Sequence, residues 1–205
     1  MEQWLGEGWT RTKIKEWLKG KLGYKGYLHS LGTAYSCRLL AQRYGLDPDK
    51  AELAGMIHDC AKSAGKGVLL KLAGDFGILI GEIEEKSPDL LHAPVGAKLA
   101  GEIFGVFDPA VTRAIATHTT GSARMGLLDK VVYVADYIEP TRIFPGVEEI
   151  RFLAGVDLDQ AFLAALENTI KYVVGRGLPL HPASVAARNA LLFQGISRRN
   201  RSGLG

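Results

Sequence analysis

Six residues with side chains able to coordinate a metal through nitrogen or carboxylate oxygen occur in order along the chain: His29, the doublet His58-Asp59, His92, His118 and Asp136. Asp136 lies inside the run Val131-Val132-Tyr133-Val134-Ala135-Asp136-Tyr137-Ile138. Burying a lone carboxylate in such an apolar run is costly, so it must be ion-paired, hydrogen-bonded or bound to a metal. The doublet poses the same problem at the end of an otherwise apolar segment. Consecutive side chains on a helix point about 100° apart, so His58 and Asp59 can embrace one ion only where the helix presents its side to it.

Imidazole nitrogen combined with carboxylate oxygen suits iron, manganese, cobalt, nickel or zinc, whereas calcium and magnesium sites are richer in oxygen. Six such ligands exceed what one ion takes from a protein when a substrate must bind as well. Two ions sharing a bridging carboxylate are the economical arrangement. Ions about 3.5–4 Å apart can activate a water between them near neutral pH and neutralise charge on a phosphoryl group during in-line displacement.

The elements that must position these residues read as helices. Apolar Leu31, Tyr35, Leu39 and Tyr44 approximate one helical face over 28–44, and Gly45 supplies a stop. Asp47-Pro48 is an N-cap followed by a first-turn proline, opening a helix that runs through Leu53, Ala54 and Ile57 to His58. Asp108-Pro109 repeats that signal ahead of His118. The segment 127–138 is apolar nearly throughout, which predicts a helix buried on most sides, closed by Pro140. Its β-branched stretch 131–134 also fits a strand, but the Leu-Leu-Asp-Lys start and the helical neighbourhood decide for helix. Two more helices, over 158–174 and 183–193, flank the Gly175-Arg176-Gly177-Leu178-Pro179 break.

The bulk properties fit one compact unit. Lys+Arg 25 against Asp+Glu 22 gives no basic nucleic-acid footprint, and much of the excess comes from Arg198, Arg199 and Arg201. No apolar run approaches the roughly 20 residues that cross a bilayer, and residues 1–12 lack a signal-peptide middle. A cytoplasmic protein is expected. Cys37 and Cys60 form no CxxC pair and read as reduced, buried thiols. The expected organisation is an N-terminal extension over 1–12, one domain over 13–196 and a flexible tail over 197–205.

The pattern resembles the HD superfamily of metal-dependent phosphohydrolases, named for the doublet that His58-Asp59 matches. The segments His29-Ser30, Ala54-Gly55-Met56-Ile57-His58-Asp59-Cys60-Ala61-Lys62, Leu91-His92-Ala93-Pro94-Val95-Gly96-Ala97, His118-Thr119-Thr120-Gly121 and Tyr133-Val134-Ala135-Asp136-Tyr137-Ile138-Glu139-Pro140 are similar to the YqeK-type branch. Phe144-Pro145-Gly146-Val147 and Arg188-Asn189 extend the likeness, which runs from about Trp17 to about Leu192. Members of that branch are symmetrical bis(5'-nucleosyl)-tetraphosphatases, which cleave diadenosine tetraphosphate into two ADP molecules.

The resemblance implies an all-α fold with a single HD-type helical bundle, iron as the metal with manganese, cobalt or nickel as substitutes, and a homodimer. It assigns His29, His58, Asp59 and Asp136 to a first metal and draws His92 and His118 to a second, with Asp59 as the bridge. Asp59 and Lys62 are the expected catalytic residues, Lys62 through a phosphate contact. His118, Thr119, Gly121 and Asp136 are expected beside the substrate, the threonine-glycine turn offering hydroxyls and backbone N–H groups. Arg142 either clamps a phosphate or pairs with Glu139 or Glu148. Arg176 and His181 flank a loop that in this branch borders the nucleotide. The branch usually carries an arginine three residues before the first metal histidine, where this chain has Gly26. The same metal site also serves nucleotidases and phosphodiesterases of other nucleotides, and a nucleotide-binding sensor with structural metals is the alternative outside catalysis.

Overall fold

A computed structural model describes residues 1–197 of the chain. Eleven α-helices account for its architecture, and there is no strand among the described residues. They are α1 (Arg11–Lys21), α2 (Tyr24–Tyr44), α3 (Pro48–Ile57), α4 (Lys66–Asp75), α5 (Glu82–Lys86), α6 (His92–Phe104), α7 (Pro109–Thr117), α8 (Leu127–Ile138), α9 (Val147–Ala154), α10 (Leu158–Gly175) and α11 (Pro182–Phe193). Short 3-10 turns precede α1 and α6, at Glu2–Trp4 and Pro88–Leu91.

The capping chemistry works as the sequence indicates. Asp47 accepts from the backbone N–H groups of Asp49 and Lys50, and Asp108 accepts from those of Ala110 and Val111, so each proline-started helix has its free donors satisfied. Gly45 ends α2 in the left-handed region at φ 72°, with the Leu46 N–H returning to the Ala41 carbonyl. Leu127–Ile138 is helical, and the β-branched run does not make it a strand.

That helix, α8, is the centre of the bundle. Leu128, Val131, Val132, Tyr133, Val134, Ala135 and Ile138 are all buried, and α8 packs against α2, α3, α7, α9 and α10. Helices α2 and α3 share the most extensive contact. At their contact a side chain on Gly55 would stand 2.6 Å from Cys37 Sγ and 3.0 Å from the Thr33 carbonyl, so only glycine permits the approach. The approach matters because His29 rides on α2 and His58 ends α3.

Residues 1–9 lie on this core. The Gly6 N–H donates to the Phe104 carbonyl at 2.8 Å, and Trp9 and Trp17 both stand edge-on to the Phe104 ring. The tail drawn from sequence at 197–205 falls almost entirely outside the described residues, though the Ser197 carbonyl accepts from Gln160. No helix among the described residues is long and apolar enough to cross a membrane.

Helices α4 and α5 build a small satellite with its own apolar cluster around Leu69, Ala73, Leu91 and Val95. Sequence periodicity did not mark them. Glycines at 65, 67, 74, 77 and 81 interrupt the segment, and its helices are too short to establish a period. The satellite hands the chain to α6, and His92 is its first residue.

Candidate metal centre

Four helix boundaries and one helix interior converge on a single point. His58 is the residue that caps the C-terminus of α3, His118 caps α7, His92 opens α6, and Asp59 lies in the turn just past α3. The doublet therefore works from the end of its helix, where the chain can aim two consecutive side chains inward. His29 projects from the second turn of α2 and Asp136 from the last turn of α8. All six predicted ligands come together. His58, Asp59, His92 and His118 are buried, and His29 and Asp136 are nearly so.

The two oxygens of Asp59 divide the cluster. Oδ2 stands 3.7 Å from His29 Nε2 and 3.5 Å from His58 Nε2. Oδ1 stands 3.1 Å from His92 Nε2 and 3.4 Å from His118 Nε2. Asp136 Oδ1 completes the first group, 3.0 Å from His29 Nε2 and 3.9 Å from His58 Nε2. His29, His58 and Asp59 form one set with donor atoms close enough to share an ion, and Asp59, His92 and His118 form another. A third set, His58, His118 and Asp136, overlaps both, so the centre is continuous.

The imidazole tautomers decide what this arrangement wants. His58 Nδ1–H donates to the Gly55 carbonyl at 2.7 Å, His118 Nδ1–H to that of Ile115 at 2.7 Å, and His92 Nδ1–H to that of Asp89. His29 Nδ1–H donates to Glu139 Oε1 at 3.0 Å. With all four Nδ1 protons committed outward, each neutral ring turns its Nε2 lone pair toward the centre, where Lys62 Nζ and the Thr119 hydroxyl are the nearest donors, both at the His92/His118 pair. Yet His29 and His58 Nε2 are 3.2 Å apart, and those of His92 and His118 are 3.1 Å apart. Lone pairs at that separation repel unless positive charge stands between them. The Asp59 Oδ1 atom, buried at the same place, has no hydrogen-bond partner. Two divalent cations satisfy all of these groups, and the chemistry of the donor set fits them.

Electrostatics point the same way. Burial holds the His58 ring down to about 4, so its lone pair stays free at any physiological pH. Burial also lowers His92. At His29 burial acts downward too, but the Asp136 and Glu139 carboxylates outweigh it and raise the ring above its ordinary value. Burial opposes ionisation of Asp59 and Asp136, yet the surrounding imidazoles, with Arg142 beside Asp136, hold both carboxyls well below the usual range. The pocket is thus charged with carboxylate and calls for a cation.

Glu139 was not recognised from sequence as part of the centre. It is fully buried, accepts from the Thr141 N–H and hydroxyl at 2.7 and 2.5 Å, and holds His29. The reason lies in the helix. Histidines at helix ends can use a carbonyl three residues back, whereas His29 sits inside α2 and takes an acceptor from another segment. Gly32, one turn along α2, leaves the space that Glu139 fills, since any side chain there would run into its carboxylate. Replacing Glu139 by alanine is expected to lower metal affinity about 10–100-fold, as loss of an orienting partner does elsewhere. Competition with a chromogenic chelator measures it, and Gly32→Ala should shift affinity in the same direction.

Beside the cluster opens a cavity of about 720 Å³. Lys62, His118, Thr119, Asp136 and Arg142 line its metal end. Lys62 Nζ lies 3.1 Å from His92 Nε2 and 3.6 Å from Asp59 Oδ1. The Thr119 hydroxyl is 3.2 Å from His92 Nε2 and 3.1 Å from His118 Nε2. Arg142 donates to Asp136 Oδ1 at 2.7 Å and stands 3.8 Å from Glu139, while Glu148 is taken by Arg151. Gly121 closes the turn after α7 at φ 70° against Ala187, away from the cavity lining. Arg176 and His181 are also outside that lining. Arg176 stands over the Tyr172 ring at 5.8 Å, and His181 caps α11 and bonds Glu84 at 2.7 Å.

Comparison with known proteins agrees with this geometry. The HD domain family profile matches residues 26–141. Over 185 residues the chain is 39% identical to the symmetrical bis(5'-nucleosyl)-tetraphosphatase of Halalkalibacterium halodurans, covering 90% of this chain and 98% of the relative. The protein of the same name in Bacillus subtilis is 39% identical over 183 residues, covering 89% and 98%. A crystal structure from Clostridium acetobutylicum, described as a "predicted HD superfamily hydrolase involved in NAD metabolism", superposes with a TM-score of 0.88 at 41% identity. It covers 91% of this chain and 98% of that one.

Proposed function

The chain belongs to the HD domain family, and from that premise we propose that it cleaves diadenosine tetraphosphate symmetrically, into two ADP molecules, at the paired metal centre. Metal-dependent hydrolysis of a phosphoanhydride is the chemistry of this site. The observation that carries the reading is the division of the Asp59 oxygens between two imidazole pairs whose outer nitrogens are already committed.

Bound there, two divalent ions lower the pKa of water and offset charge on the phosphoryl oxygens. The chain's own groups do the rest. Asp59 spans the two ligand sets and fixes their separation, while the Nδ1 contacts hold each ring in one tautomer before substrate arrives. Lys62, its side chain half exposed and its Nζ beside both Asp59 and His92, contributes an ammonium where charge spreads in the transition state. Arg142 is already oriented by the Asp136 side chain and backbone carbonyl, leaving part of its guanidinium for a phosphate oxygen. The Thr119 hydroxyl supplies a further donor at the same edge. The loop carrying Arg176 and His181, with Arg176 over the Tyr172 ring at the cavity's lining, is proposed to border the nucleotide.

Iron is proposed as the metal, with manganese, cobalt or nickel able to replace it, supported by the mixed nitrogen and oxygen donors. A homodimer in the cytoplasm completes the proposal. Two free, buried thiols support the location, burial pushing that of Cys60 up to about 12. Chromatography of the products from diadenosine tetraphosphate tests the reaction: ADP as the sole nucleotide is expected, and equal ATP and AMP would refute symmetrical cleavage.

A further inference from the structure

Four of the five histidines turn Nε2 to the metal centre, and His181 is built the other way. Its Nδ1 accepts the Ala183 N–H at 3.1 Å as the N-cap of α11, so the ring proton sits on Nε2 and is donated to Glu84 Oε1 at 2.7 Å. Glu84 is equally committed. Its other oxygen, Oε2, accepts the Gly81 N–H at 3.0 Å at the start of α5. Two capping side chains 97 residues apart, both partly buried, thus join the starts of two helices. Farther along the first turn of α11, the buried Ser184 hydroxyl donates to the Thr120 carbonyl at 2.8 Å. A side chain on Gly121 would stand 3.1 Å from Ala187 Cβ, so the start of α11 lies against the turn that follows His118.

These two bonds end beside the two imidazoles of one ligand set. Thr120 follows His118 and Thr119, and the Thr119 hydroxyl is 3.2 Å from His92 Nε2 and 3.1 Å from His118 Nε2. Helix α5 packs on the 3-10 turn Pro88–Leu91, whose Asp89 carbonyl takes the His92 Nδ1–H. Neither bond reaches α2, α3 or α8, the elements that carry His29, His58 and Asp136. We propose that the start of α11 is a strap across the His92/His118 half of the centre, with Glu84 and Ser184 as positioning residues that set the affinity of the second metal. The inference rests on the paired-metal reading and deepens it, because a strap on one half makes the two ions differ in how firmly they are held. Partners that orient a ligand are worth about 10–100-fold in metal affinity, and a strap acting through those partners belongs at the lower end.

Calorimetric titration of the metal-free protein with manganese(II) tests it, comparing wild type with Glu84→Ala, Glu84→Gln, Ser184→Ala and Glu139→Ala. Wild type should bind two ions. Glu84→Ala and Ser184→Ala should each weaken one ion about tenfold and leave the other within about twofold. Glu139→Ala, which frees His29, should weaken the other ion. Glu84→Gln, whose amide oxygen still accepts from His181, should stay within about twofold of wild type for both. Full affinity in Glu84→Ala or in Ser184→Ala overturns the strap. So does equal weakening of both ions, the mark of a general loss of fold, or weakening of the same ion as in Glu139→Ala. A Glu84→Gln defect as large as that of alanine also overturns it, by placing the effect in the α5 cap. Should wild type bind fewer than two ions, the paired-metal reading falls separately, and hydrogen exchange of the metal-free protein decides the strap. The Gly121 amide, bonded to the Thr117 carbonyl at 2.8 Å, should then exchange about tenfold faster in Glu84→Ala than in wild type, and an equal rate overturns the proposal.

Discussion

Replacing Asp59 by alanine is expected to abolish turnover, lowering kcat by about a thousandfold or more, and to reduce bound metal from two ions per chain to one or fewer. Both effects come from the same atoms. Oδ2 belongs to the His29/His58 set and Oδ1 to the His92/His118 set, so one truncation removes a ligand from each. The ions supply several kcal/mol of charge stabilisation together with water activation, and each 1.4 kcal/mol is about a tenfold change in rate. Asp59 lies in a turn, not within a packed helix, so the variant should keep its helical circular dichroism. Steady-state kinetics and elemental analysis of the same preparation measure the two quantities. Full activity with two bound ions would remove Asp59 from the role of bridge.

Removing the metals is expected to destabilise the whole domain. Without cations the folded chain confines four imidazole lone pairs and two carboxylates in a buried space, with Nε2 atoms of ring pairs 3.1 and 3.2 Å apart. Protonation relieves this poorly. His29 is the ring whose surroundings favour a proton, while burial holds His58 down to about 4. Metal binds the folded chain and not the dispersed donors of the unfolded one, which stabilises the native state by about 2.7 kcal/mol when free metal is a hundredfold above Kd. For a chain of this size each kcal/mol moves the melting temperature by about 2–4 °C. Chelation should therefore lower Tm by about 5–10 °C, and readdition of metal should restore it. A melting curve indifferent to chelator would show that the donors are satisfied some other way.

The ligands were legible in the sequence because their chemistry is local and costly to misplace. A carboxylate within Val-Val-Tyr-Val-Ala and a His-Asp doublet at a helix end each demand a partner wherever the helices go. The helices that carry His29, His58 and His118 were equally legible, since Gly45, Asp47-Pro48 and Asp108-Pro109 each spell one of their boundaries in cap residues, and Pro140 closes the one that carries Asp136. Other features depend on relations between distant segments. Glu139 becomes the partner of His29 only because α8 ends against α2 at Gly32, and a glutamate before a proline gives no sign of that. Tyr137, Phe144 and Tyr172 line one cavity because α10 passes beside the loop after α8, which depends on the packing of three helices. Helices α4 and α5 escaped notice because their glycines look like a long loop, and they hand the chain to α6, whose first residue is His92.

The central claim is that six side chains from five separate segments hold two metal ions across Asp59. Anomalous diffraction from crystals of anaerobically purified protein tests it most directly. The expected map has two peaks about 3.5–4 Å apart. One should be ligated by His29, His58, Asp136 and Asp59 Oδ2, and the other by His92, His118 and Asp59 Oδ1. A map with no anomalous peak among these donors, and water molecules bonded to the four Nε2 atoms instead, would contradict the account.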